Sequence, residues 1–146
     1  MRLALDADVC IYAVNETPWT QAVRRAITEA DELVGSVLLP AEVLAKPMRA
    51  GSRTEYEDLM QLLRGVRLVE VGLPVAALAT TVAAEHGLRA VDAVHLASAL
   101  HARADAFLTN NTSDFAHVRL DGLRIRFPDA AKSDRPRTGP ETTGRT

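Results

Sequence analysis

The chain has a single cysteine, Cys10, only two lysines, Lys46 and Lys132, and no excess of basic charge. One cysteine excludes an intramolecular disulfide and fits a reducing compartment. No apolar run approaches the roughly 18 residues that a membrane span needs. The N-terminus runs straight into LALDA without the basic stretch and long apolar segment of a secretory signal. The expectation is a cytoplasmic domain with no membrane contact. At a formal net charge of −2, any nucleic-acid binding must rest on a local patch rather than an overall field. His86, His95, His101 and His117 lack the i,i+4 pairing of a zinc helix, which argues against zinc. Ser36 has no G-x-S-x-G context, and a covalent serine or cysteine mechanism finds no motif.

What is present is an ordinary globular balance, 146 residues with 47% apolar and 25% charged, enough for one domain with a real core. Composition changes at Pro128: DAAKSDRPRTGPETTGRT is polar and has no periodic apolar residues. The expected domain is therefore 1–128, with 129–146 a disordered tail. Inside it, strand-like stretches (3–6, 32–39, 66–71, 104–109, 123–127) alternate with helical spacing over 18–31, 40–50, 53–64, 73–86 and 90–102. Strands separated by helices predict a three-layer α/β/α sandwich with a central, mainly parallel sheet.

In such a sheet, ligands gather beyond the carboxyl ends of the strands. Four acids fall there. Asp6 ends the first strand, and Glu42 lies in the first helical turn after the second. Asp92 opens the helix before the fourth strand, and Asp114 follows that strand. Each also has an ordinary reading. Glu42 complements a helix dipole, Asp114 serves as a cap or first-turn acid, and Asp8 begins a short helix, DVCIYAV. Asp92 shares a helical face with Leu96 and Ala99, so it points inward and needs a partner. Clustered carboxylates repel, and a hard divalent cation such as Mg²⁺ resolves the conflict and can activate water against a phosphodiester.

LALDADVCIYAV (3–14), PAEVLAKPMRAG (40–51), GLRAVDAVHLASALHARADAFLTNN (87–111) and TNNTSDF (109–115) together resemble the PIN-domain family, and within it the VapC-type toxins. The resemblance covers roughly residues 1–127 and places the four acids at Asp6, Glu42, Asp92 and Asp114, with Thr109 and Asn111 as supporting residues. It departs from the usual pattern in the extra charge of Asp8, and in Asn111 where many relatives carry the fourth acid. The resemblance implies a Mg²⁺- or Mn²⁺-dependent endoribonuclease, homodimeric and neutralised by a cognate VapB-type antitoxin. The alternative is a catalytically silent PIN-like module that binds RNA or protein. Haloacid-dehalogenase-type phosphatases and receiver domains share an early Asp but need a late lysine that the domain lacks.

Lys46, Arg49 and Arg53 recur every three or four residues after Glu42 and are candidate phosphate contacts, the ordinary reading being a solvated face. The stripes Trp19, Val23, Ile27 and Tyr56, Leu59, Met60, Leu63 are either core or the wall of a groove near the acids for the antitoxin.

Overall fold

In β1 (Arg2–Leu5), Leu3 and Leu5 enter one apolar cluster and Ala4 the other, as period-two alternation requires. A computed structural model describes residues 1–131. From Lys132 onward the expected tail lies outside the described residues. After β1 come α1 (Ala7–Val14), α2 (Thr20–Glu29), β2 (Glu32–Ser36), α3 (Leu39–Ala50), α4 (Arg53–Arg64) and β3 (Val66–Val69). The chain continues through α5 (Leu73–His86), α6 (Ala90–His101), β4 (Ala106–Leu108), α7 (Thr112–Phe115) and β5 (Arg124–Arg126).

The strands lie in the order β3-β2-β1-β4-β5, and all four pairings are parallel. Helices α1 to α4 cover one face, burying Val9, Val23, Val43 and Leu59 against Leu3, Leu5, Ala106 and Leu108. Helices α5, α6 and α7 cover the other, where Val82, Leu96 and Phe115 meet Ala4, Val34 and Phe107. The architecture is the three-layer α/β/α sandwich. Among the described residues no helix is long and apolar enough to cross a membrane.

Several boundaries move for local reasons. The second strand stops at Ser36, because the Leu38 N–H turns back onto the Ser36 hydroxyl (3.1 Å) and α3 begins at Leu39 with proline in its first turn. Helix α2 starts at Thr20 rather than Pro18: the Thr20 hydroxyl accepts from the Thr17 N–H and donates to the Asn15 carbonyl, which fixes Pro18 and Trp19 in a turn. The short helix α7 is an addition to the sequence reading. At the far end of the described residues, the Ala131 N–H donates to the Pro18 carbonyl at 2.6 Å.

The two apolar stripes are mostly core. Val23, Leu59 and Leu63 are buried, and Trp19 stacks on Tyr12 with ring centroids 5.1 Å apart. A shallow groove of about 360 Å³ remains between α1, α2 and α4, lined by Val14, Ile27 and Leu62 with Arg24 and Asp58 at its side. It lies by the C-terminal ends of α1 and α2, away from the residue that begins α1.

Candidate active site

Between β1 and β4 the strand order reverses, and Asp6 stands at this switch point. Its backbone N–H still donates in sheet fashion to the Leu108 carbonyl, while its Oδ1 accepts from the Ala7 N–H at 2.8 Å and caps α1. Strand passes to helix without a loop. Oδ2 accepts from the Thr109 hydroxyl at 2.7 Å, and both residues are buried. Thr109 follows β4 directly, so this bond ties the ends of the two central strands.

Asp8 stands in the same field. Its Oδ2 accepts from the Asn110 N–H at 2.9 Å and its Oδ1 from the Val9 N–H at 2.7 Å. Burial, followed by the charge on Asp6, raises its pKa to about 6, and Asp92 adds to the rise. The sequence reading gave Asp8 only a helix-starting role. The missed signal is that the first turn of α1 starts on Asp6 itself, which keeps Asp8 at the sheet edge.

Asp92, in the first turn of α6, has its pKa raised to about 6 by burial, then by the charges on Asp6 and Asp114. His95 acts in the opposite direction. Asp114 is held by the supporting asparagine: Asn111 Nδ2 donates to Asp114 Oδ2 at 2.7 Å, and Asn111 Oδ1 accepts from the Asp114 N–H at 3.2 Å. Asn111 is thus the N-cap of α7. The charges on Asp6 and Asp114 thus reach Asp92, and those on Asp6 and Asp92 reach Asp8.

Glu42 stands to one side. In the first turn of α3, its Oε2 lies 2.7 Å from Nε2 of His95, a residue read from the sequence only as an unsuitable zinc ligand. The spacing held a signal, since His95 lies one helical turn beyond Asp92. Beneath the acids the buried Cys10 thiol is pushed far up, by burial and then by the charges on Asp6 and Asp8, with Glu42 contributing. The lone cysteine is therefore an inert packing residue. Lys46 and Arg49 share the α3 face of Glu42, are exposed, and make no ion pair among the described residues. Arg53 opens α4 and donates to Glu57 at 2.9 Å, which engages part of its charge.

The donor set is all oxygen, and the crowding that helps raise the pKa of Asp8 and Asp92 is what a hard divalent cation relieves. Among the described residues no three of His, Cys, Asp or Glu already stand at metal-holding positions. An ion that keeps several waters and touches one or two carboxylates directly does not require such a cage.

The PIN domain family model matches residues 3–120. Among solved structures, a toxin–antitoxin complex from Klebsiella pneumoniae superposes with a TM-score of 0.66 at 18% identity, covering 83% of this chain and 94% of that one. VapBC2 from Rickettsia felis, bound to a DNA fragment from its promoter, gives 0.70 at 16%, covering 88% and 100%. DNA-bound VapBC from Salmonella typhimurium gives 0.58 at 18%, covering 87% and 98%. At these identities the likeness is one of fold. No curated protein matches the chain by sequence.

The raised pKa values of Asp8 and Asp92 make the native state hold protons that the unfolded chain releases from about pH 4. This contribution favours folding below about pH 4 and is lost as pH rises through about 6. In chelator at pH 7.5, Asp92→Asn should melt a few degrees above the parent, and the gap should close toward pH 4.5. Calorimetric melting across that range checks it; a variant less stable than the parent at pH 7.5 would show Asp92 to be a net structural partner.

Proposed function

The chain belongs to the PIN domain family, and from that premise we propose that it is a divalent-metal-dependent endoribonuclease, the toxin of a toxin–antitoxin pair. The observation that carries the reading is the group of acids at the switch point, two of them with pKa values raised to about 6. A fold needs no such repulsive group, and a cation-dependent reaction does. Asp6, Asp92 and Asp114 would hold Mg²⁺ (or Mn²⁺), with Glu42 completing the set, in part through water. Bound there, the ion would supply charge neutralisation at a phosphodiester and a more acidic water. Thr109 fixes the orientation of Asp6, Asn111 fixes that of Asp114, and Asn110 aims Asp8 at the same edge. Lys46 and Arg49, on the face of Glu42, would hold RNA phosphates without reading bases, with Arg53 at the end of the row.

The similar solved structures are toxin–antitoxin complexes, which supports neutralisation by a cognate VapB-type antitoxin; the homodimer is what the family resemblance implies. The antitoxin would block the reaction from the face near the acids, and the groove between α1, α2 and α4 lies away from it. Val37, just past β2, and Val91, beside Asp92, stand exposed there.

Four outcomes check this reading. Cleavage of end-labelled RNA should require Mg²⁺ or Mn²⁺ and fall by at least about a hundredfold in Asp6→Asn or Asp92→Asn with the fold intact. An inactive parent that still binds RNA would favour the silent module. Reversing the charge of Lys46 and Arg49 together should weaken RNA binding and flatten its salt dependence; unchanged values would remove the patch. Light scattering at micromolar concentration should give the dimer mass, and a saturating complex with a co-expressed adjacent-gene product should lose nuclease activity. A monomer would end the first claim, and an active complex the second.

A further inference from the structure

His95 is 2% exposed on α6, among Ala93, Leu96, Ala97, Ser98 and Ala99, all of them buried. Among the described residues its Nδ1 is buried with no partner, and its one side-chain polar contact is the 2.7 Å bond from Nε2 to Glu42 Oε2. A leucine would fill this apolar setting without leaving a ring nitrogen unpaired. What imidazole adds is that single bond. An ionised carboxylate only accepts, so Nε2 carries the proton and donates.

The bond also crosses the sheet edge. Glu42 belongs to the helical layer of α1 to α4, and His95 to the layer of α5 to α7. The Glu42 side chain is 31% exposed and that of His95 1%. Among the described residues Oε1 of Glu42 has no hydrogen-bond partner, so one oxygen is held from inside and the other is left open. This is the division of labour by which a buried donor orients a ligating carboxylate.

We propose that His95 is a positioning residue for Glu42: its Nε2–H fixes Oε2 so that Oε1 faces the acid group as a preset ligand. The inference rests on the metal-dependent reading above and adds to it a residue outside the acid set. Asp92, on the same helix one turn earlier, makes α6 the common mount for one ligand and for the group that aims another.

The test titrates Mn²⁺ alone into the full chain by calorimetry, with circular dichroism and melting curves reporting the fold. A glutamine amide reaches about as far as Nε2, whereas an asparagine amide reaches only the Nδ1 position. His95→Asn should weaken Mn²⁺ binding about tenfold, and His95→Gln should restore most of it. His95→Leu, matched to its apolar surroundings, is a second variant without the donor, so loss of fold in one leaves the comparison intact. Glu42→Gln should weaken Mn²⁺ binding, and adding His95→Asn to it should cost less than about twofold more. Parent-like binding in His95→Asn and His95→Leu, equal losses in Asn and Gln, or additive losses with Glu42→Gln would each overturn the positioning role. Parent-like binding in Glu42→Gln would overturn it by removing Glu42 from the set. In that case a loss of binding in Asp92→Asn shows that the metal reading stands, and its absence shows that this reading has failed too.

Discussion

A buried carboxylate must be held by donors, and Asp6 is held at both oxygens, by the Ala7 N–H and by the Thr109 hydroxyl. The second bond requires the end of β4 to lie beside the end of β1, as their parallel pairing arranges. With Asp6 fixed, the other acids take their properties from it. Its charge contributes to the raised pKa of Asp8 and of Asp92. Asp114 then meets Asp92 from the short helix that Asn111 caps.

The parallel sheet makes this crowding tolerable. Strand ends and the starts of the helices that follow them collect at the same edge, so acids there face helix N-termini. Asp8, Glu42, Asp92 and Asp114 all lie in first turns, of α1, α3, α6 and α7. Aligned peptide dipoles offset part of the repulsion without neutralising it. Burial, and then the repulsion that remains, raise the pKa of Asp8 and Asp92, and a bound cation would relieve the repulsive part.

The edge also joins the two helical layers. Each layer packs on its own face of the sheet through apolar contacts, which carry little directional information. The Glu42–His95 bond, by contrast, fixes the start of α3 relative to α6 across the sheet. Such a bond suits a site whose ligands come from both layers, because it converts packing of moderate precision into a defined distance.

Much of this was legible in the sequence. Apolar alternation and helical spacing gave the element order, since burial of one face imposes those periods whatever the partner. Asp6, Glu42, Asp92 and Asp114 could be marked because a carboxylate at a strand end or on an inward helical face is costly and draws attention. Strand order was not legible: local periodicity says nothing about which strands pair, so the switch point between β1 and β4 emerged only with the fold. For the same reason Asp8 could not be told from an ordinary helix-starting acid, nor His95 from a core histidine. Their roles depend on Asn110 and Glu42, which lie far off in sequence and are brought close only by tertiary packing.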